Sequence, residues 1–352
     1  MSNPFYFSSS AATKVRVLLT GANGFIGVQI TRTLLHRGYN VVGAIREESR
    51  ATRLKELFPE AIADSSLTFG IVPDITKPGA FDSVLLSGHP FDAVIHAGSP
   101  LSFTKIKDVK AELYQPAIEG TTNILESIKH KAPSVKRVVI TSSFTTVADR
   151  SKGFRPGYVY TDKDWNPISL EAGLGDVRLG YSASKTHAEK AAWKFVETQK
   201  PDFSLTTLCP PFVLGPAEQV TRTDQLNESI GQIYAAFEGK ALVPMSGYVW
   251  VDVRDVALAH VLAIESTVAA NQRYIVAAGN YSPQQILNYI WDKHPERAKA
   301  KGISRGSPQK LWPEGGVFGV DTSKSRRDLG LEYRPLEESM KDMFTRLQEL
   351  EA

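Results

Sequence analysis

Three glycines recur at three-residue intervals in TGANGFIG, residues 20–27, directly behind the apolar run VRVLL. A buried strand that runs into glycines and then into the amphipathic stretch FIGVQITRTLLHRG admits few folds. Glycine accepts positive φ and lets backbone amides come close to a ligand, and the first turn of a helix presents those amides to an anion. The GxxGxxG spacing departs from the GxGxxG of the ordinary dinucleotide fingerprint. The loop either cradles a pyrophosphate or serves only as a tight turn with close helix packing, and the rest of the chain has to decide.

Past that loop, short β-branched runs alternate with helical patterns. NVVGAI (40–45), LTFGIV (67–72), FDAVIHA (91–97), SVKRVVITSS (134–143) and SLTTLC (204–209) follow the first strand in turn. Between them lie segments such as ATRLKELF and AELYQPAIEGTTNILESIKH, whose apolar spacing suits amphipathic helices. The runs are apolar almost throughout, as strands covered on both faces of a parallel sheet must be. This βα order predicts an α/β fold with a doubly wound parallel sheet. Residues 1–13 read as an N-terminal tail without the regions of a secretory signal. Residues 14–200 read as a dinucleotide-binding domain, and 201–352 as mainly a smaller, mixed substrate lobe with segments returning to the first. Helices are expected near 224–239 and 253–265, and the turn-rich stretch 150–180 is long enough to read as a functional loop.

Composition removes several classes of function. Of 352 residues, 42% are hydrophobic and 22% charged, with a formal charge of +3. That balance lacks the basic excess of a nucleic-acid binder, and no apolar run reaches the ~18 residues of a membrane span. Neither nucleic acid nor membrane is an expected partner. Cys209 is the only cysteine, which excludes an intrachain disulfide and suits a reducing, cytoplasmic compartment. The seven histidines show no metal-binding spacing, so no metal is expected. His96, ending the fourth strand, reads as a packed core residue or as a ligand in the crevice.

The second strand ends in GAIREESR. An acid at this place binds the ribose 2′-OH of NAD, whereas an arginine accommodates the 2′-phosphate of NADP. No acid stands at the strand end here, and Arg46 and Arg50 offer two guanidinium forks, so NADPH/NADP+ is expected over NAD. Glu47 and Glu48 leave a solvated charged turn as the alternative. After the third strand, Asp74 is placed either for the adenine amino group, with Ile75 on the ring, or for a turn following Pro73.

YSASK, residues 181–185, opens a helix-prone run, which sets Tyr181 and Lys185 one turn apart on one face. A phenol of pKa ~10 is a poor acid at neutral pH, and an ammonium one turn away lowers that pKa. Tyr181 thereby becomes a usable general acid. A carbonyl that accepts hydride develops charge on oxygen, and TSS (141–143) supplies a second donor, Ser143 being preferred over its neighbour Ser142.

TGANGFIG, REESR, PAIEGTTNIL (116–125), VKRVVITSS, YSASK and VDVRDVALAH (251–260) together resemble the extended short-chain dehydrogenase/reductase family, over nearly the whole chain after Lys14. Within it the pattern is similar to the dihydroflavonol reductase-like group, which includes yeast methylglyoxal reductases and fungal aldehyde/ketone reductases. The resemblance implies a Rossmann-type fold and NADPH-dependent reduction of an aldehyde or ketone, with Tyr181 protonating the oxygen that Ser143 holds. It implies cofactor contacts from Gly21, Asn23, Gly24, Phe25, Ile26 and Gly27, from Arg46 and Arg50, and from Ala97. Lys185 would also bind the nicotinamide ribose, and the segment around Pro210, Phe212 and Val213 would lie against the carboxamide. The chain departs from the family at Cys209, where asparagine is usual, and at Ala117, where a relay asparagine falls in many short-chain reductases. Asp252, Arg254 and Asp255 read as ion pairs at a helix start in place of an acid/base pair.

Nucleotide-sugar epimerases or dehydratases, hydroxysteroid dehydrogenases and non-catalytic NADP-sensing regulators share this scaffold. REESR disfavours the first, and the presence of both Tyr181 and Lys185 disfavours the last. The carbonyl substrate is expected against Phe103, Phe144, Phe212, Val213, Tyr248 and Trp250, each of which fits a core position equally well. Such a lining suits an aromatic or bulky-alkyl compound better than a sugar. A monomer or a homodimer is expected.

Overall fold

In the computed structural model, which describes residues 15–98, 106–242 and 248–352, Val17 and Leu19 enter one apolar layer and Leu18 the other. That is the two-residue period of a strand covered on both faces. Twelve strands occur among the described residues: β1 (Arg16–Thr20), β2 (Asn40–Ile45), β3 (Leu67–Ile71), β4 (Ala93–His96), β5 (Arg137–Thr141), β6 (Val159–Tyr160), β7 (Ser204–Cys209), β8 (Phe212–Leu214), β9 (Val249–Asp252), β10 (Gln272–Ile275), β11 (Gly279–Asn280) and β12 (Gly319–Val320). Seven of them form one parallel sheet in the order β10-β7-β5-β4-β1-β2-β3. Helices Gln115–Lys131 and Val177–Gln199 pack together over one face, and Phe25–His36 and Val253–Glu265 over the other. Leu18, Leu19, Ile30, Leu34, Ile124 and Leu125 are sealed between these layers. Each such side chain stabilises the fold by roughly 1.5–3 kcal/mol through burial.

The predicted doubly wound α/β architecture is therefore the observed one, and its connectivity places the site. The chain leaves β1 for β2 on one side and later returns to β4 on the other, so β1 and β4 flank the crevice where open α/β sheets bind ligands. A smaller mixed sheet pairs β8 parallel and β11 antiparallel with β9. The short β6–β12 pair ties the stretch 150–180 to the C-terminal region.

Two helices differ from expectation at their ends. The one expected near 224–239 spans Glu228–Phe237. The helix carrying YSASK does not open there: it begins at Val177, because the Asp176 side chain accepts hydrogen bonds from the amides of Arg178 and Leu179 and caps it. VDVRDVALAH is structural, as expected. Asp252 caps helix Val253–Glu265 and pairs with Arg254 at 2.8 Å, and Arg254 reaches Asp342 at 2.6 Å. Arg334 pairs with Asp255.

One polar cluster crosses the core. Glu189, 2% exposed, accepts hydrogen bonds from Ser142 Oγ and Thr146 Oγ1, both at 2.6 Å, from Thr207 Oγ1 at 2.7 Å and from Arg273 Nε at 2.8 Å. Arg273, 7% exposed, also donates to the carbonyls of Asp162 and Asp164 at 2.9 and 2.6 Å. Burial alone would raise the Glu189 pKa, yet Arg273 and the hydroxyl donors hold it below its usual range. Breaking a buried pair strands the remaining charge. Glu189→Ala is expected to lose about 3–5 kcal/mol in urea unfolding, and Glu189→Gln distinctly less; equal, small losses for both would show that the charge is not needed.

Candidate active site

At the carboxyl ends of the central strands lies a cavity of about 350 Å³. One side is the glycine loop. Gly21 has φ +69°, and a Cβ there would lie 2.7 Å from the Gly98 Cα; a Cβ on Gly27 would lie 2.0 Å from the Gly21 carbonyl oxygen. Both positions therefore require glycine. No side chain caps helix Phe25–His36 at Gly24, which leaves its first amides for a ligand. Gly21, Gly24, Phe25, Ile26, Gly27 and Ala97 line the cavity, while Asn23, at the loop tip, is not among its lining residues.

The other side is built from the end of β5 and the helix Val177–Gln199. The turn after β5 is pinned through the amide of Ser142 to the Leu208 carbonyl at 2.7 Å, and through that of Phe144 to the Pro210 carbonyl at 2.9 Å. The two serines then part. Ser142 donates to Glu189, whereas the Ser143 oxygen accepts from the amide and hydroxyl of Thr145 at 3.2 and 3.0 Å and hydrogen-bonds with Tyr181. Lys185 Nζ donates to the Thr141 carbonyl at 2.7 Å. Ser143, Tyr181 and Lys185 line one cavity together with Pro210, Phe212 and Val213.

The electrostatics follow from burial. Tyr181 titrates above its usual value because it is desolvated, with the Ser143 hydrogen bond and the Arg150 charge acting the other way. The sequence-based reading gave that opposing role to Lys185; here the resolved cation is Arg150. Burial draws Lys185 down to about 8 against the pull of Glu189. His96 is buried and drawn down to about 3, with Nδ1 2.8 Å from Thr20 Oγ1, so it is a neutral packed residue. The Thr141 hydroxyl lies 2.6 Å from His260 Nε2, whose other ring nitrogen is 2.8 Å from the Val256 carbonyl oxygen. Cys209 points into the Glu189 cluster, its sulfur 3.8 Å from a carboxylate oxygen, and burial pushes the thiol up to about 12.

Several expected residues stand elsewhere. Arg46 and Arg50 lie on the exposed turn after β2, where Arg50 pairs with Glu47 at 3.2 Å. Asp74 accepts from the amide and hydroxyl of Thr76 at 2.9 and 2.7 Å, the geometry of a local turn, and Arg46 acts on it electrostatically. The Ile75 carbonyl accepts from Asn123 Nδ2 at 3.0 Å. Two substrate contacts are corrected. Phe144 is buried against Tyr160 and Phe318, and Trp250 sits in the core as part of β9; neither lines the cavity. Tyr248 is outside the lining too, its ring against Phe154 and Trp312 at 5.6 and 6.1 Å. Phe103 lies outside the described residues. Sequence reasoning missed Glu189, Arg273, His260 and Arg150. Glu189 had a signal in its place one turn after Lys185 on the same helical face, and Arg150 in opening the turn-rich stretch 150–180.

Comparison with known proteins sets the chain as a whole beside known reductases. The family model of the NAD dependent epimerase/dehydratase family covers residues 17–278. The chain is 35% identical to a putative NADPH-dependent methylglyoxal reductase of Candida albicans, over 96% of this chain and 99% of that one. It is 38% identical to the ketoreductase azaE of Aspergillus niger, over 95% of this chain and 98% of that one. Its fold superposes with a TM-score of 0.86 on the yeast methylglyoxal/isovaleraldehyde reductase solved with NADPH, at 32% identity over 96% of this chain and 99% of the other. The chain belongs to the NAD dependent epimerase/dehydratase family, the extended short-chain dehydrogenases/reductases.

Proposed function

We propose that the protein is an NADPH-dependent carbonyl reductase that converts an aldehyde or ketone to an alcohol. The observation that carries this reading is the meeting of Ser143, Tyr181 and Lys185 in one cavity whose far wall is the uncapped glycine loop. The residues fit a dinucleotide: Gly21 and Gly27 keep clear a backbone cradle that any Cβ would fill. Arg46 and Arg50, free of a strand-end acid, suit the 2′-phosphate. When bound, NADPH supplies the hydride for the carbonyl carbon. Named reductases among the relatives support the same chemistry. The unpaired, buried Cys209 suits a reducing cytosolic compartment.

The protein's own part is proton management. Ser143 and Tyr181 both direct hydroxyls at the substrate oxygen, where charge gathers as the carbon is reduced. Tyr181 holds its proton in the resting site because burial raises its pKa, which is the state a reductase needs. Once that proton is delivered, the Arg150 charge, together with the Lys185 ammonium one turn along the helix, stabilises the phenolate. Lys185 is itself held at Thr141, so the cation is fixed without a flexible search.

Tyr181→Phe is expected to lower kcat for carbonyl reduction by about 10²–10⁴-fold, the range for a positioned general acid. Undiminished turnover would remove Tyr181 from that role. The pH dependence has a definite sign. Lys185 carries its proton below about 8, so kcat/KM for reduction should hold on the acid side and fall with unit slope above it. A profile flat to pH 10 would contradict the assignment. Replacing Arg46 and Arg50 by alanine should raise KM for NADPH by about 30-fold or more, the loss of charge-assisted hydrogen bonds, with KM for NADH little changed. An equal rise for both cofactors would show that these arginines do not read the 2′-phosphate.

A further inference from the structure

The proton-donating end of the cavity carries more positive charge than the proton transfer from Tyr181 calls for. The charged residues among its described lining are Lys185, Arg150, Arg178 and Glu228, three cations against one carboxylate. Lys185 is engaged at Thr141. Arg150 and Arg178 come from separate segments that bracket the catalytic pair. Arg150 opens the 3-10 turn Arg150–Lys152 shortly after Ser143, and Arg178 stands in the first turn of the helix that carries Tyr181.

Neither position favours a cation by itself. A positive charge in the first turn of a helix faces the positive end of the helix dipole, which the Asp176 cap offsets only in part. Arg150 and Arg178 also repel one another; burial lowers the Arg150 pKa first and Arg178 lowers it further, while the hydroxyls of Tyr181 and Tyr281 act the other way. Arg150 and Tyr181 line the same cavity, and the Arg150 charge acts on the Tyr181 hydroxyl. Solvent still reaches the residue, as expected of a group enclosed by a cavity wall and not by packed core. An anion entering here would meet two guanidiniums, whose planar forks match a carboxylate. The cofactor phosphates have other partners in the reading above, the glycine loop for the pyrophosphate and Arg46 with Arg50 for the 2′-phosphate.

We propose that Arg150, assisted by Arg178, binds the carboxylate of an oxo-acid substrate whose carbonyl lies against Ser143 and Tyr181. This names the substrate class within the carbonyl-reductase reading and rests on it. The carbonyl carbon gains two electrons as hydride from NADPH, its oxygen gains the Tyr181 proton, and the carboxylate passes through unchanged. The product is a hydroxy acid, with NADP+ released. The small cavity and the apolar Phe212 and Val213 on its wall suit a compact oxo acid with an apolar side chain.

The test compares phenylglyoxylate with its methyl ester, which differ in the negative charge, with methylglyoxal as a neutral dicarbonyl. Wild-type protein should reduce the acid with kcat/KM at least about tenfold above the ester. In Arg150→Gln that preference should fall by about 30- to 100-fold, the weight of hydrogen bonds to a charged group, with KM for NADPH unchanged. Arg150→Lys keeps the charge without the fork and should retain part of the preference, and Arg178→Gln should lose about fivefold. These two variants carry the test if Arg150→Gln fails to fold. Wild-type protein that reduces the ester and methylglyoxal but shows no preference for the acid overturns this inference and leaves the reductase reading standing. So do variants that slow acid and ester in proportion, or that raise KM for NADPH with every substrate. Reduction of none of the three overturns the reading beneath it.

Discussion

A carboxylate sealed from water, Glu189, is the interaction on which the rest of the site depends. An unpaired charge at that depth would cost several kcal/mol, so its partners have to arrive at fixed places. Ser142 and Thr146 come from the turn after β5, Thr207 from β7, and Arg273 from β10. Tyr181, Lys185 and Glu189 succeed one another at single-turn spacing on one helix, so they share a face. Satisfying Glu189 therefore sets the height and rotation of that face against the turn that presents Ser143. Tyr181 and Ser143 are aligned by a group that touches neither.

The same burial sets the protonation states. Desolvation penalises whichever form of a group is charged, so it raises the phenol and lowers the ammonium at once. Both members of the pair are thus drawn towards their neutral forms, the phenol keeping its proton and the Lys185 ammonium holding its own only below about 8. His96 stays neutral beside them, tied to Thr20, and adds no competing charge. Thr141 links two layers of the site, its carbonyl holding Lys185 and its side chain meeting His260. His260 belongs to the helix on the opposite face of the sheet, so the position of Lys185 depends on packing from both sides.

The sheet was legible because a parallel strand covered on both faces has to be apolar throughout. VRVLL, NVVGAI and SLTTLC announce themselves in that way, and their order predicts the winding. The glycine loop and the YSASK spacing were legible because steric and helical rules leave few alternatives. Helix ends were less so: Asp176 as a cap lies within a stretch whose turn residues masked the start. Phe212 and Val213 of the expected lining do face the cavity, and two of the aromatics stand elsewhere for a physical reason. Phe144 and Trp250 sit next in sequence or space to functional residues, but large aromatics at strand ends gain more from burial than from lining a cavity. Arg273 could not be found at all, since a strand arginine shows its partner only when β10 docks beside β7.

The division between rigid and variable parts follows from this. Ser143, Tyr181, Lys185 and the glycine loop stand on a strand end, a helix and backbone amides fixed by packing, whereas Arg46 and Arg50 stand on an exposed turn. Arg150 stands instead at the start of the long connection before the YSASK helix. A connection of that length holds a charged side chain in register only if its own backbone is anchored. Arg273 does so through the carbonyls of Asp162 and Asp164, Asn166 donates from its side chain to the Thr145 carbonyl at 2.9 Å, and β6 pairs with β12. Arg273 thus serves two ends, neutralising the carboxylate behind the catalytic face and fastening the segment that shapes what the cavity admits. A change of substrate on this scaffold needs new side chains in the connection but the same arginine beneath it.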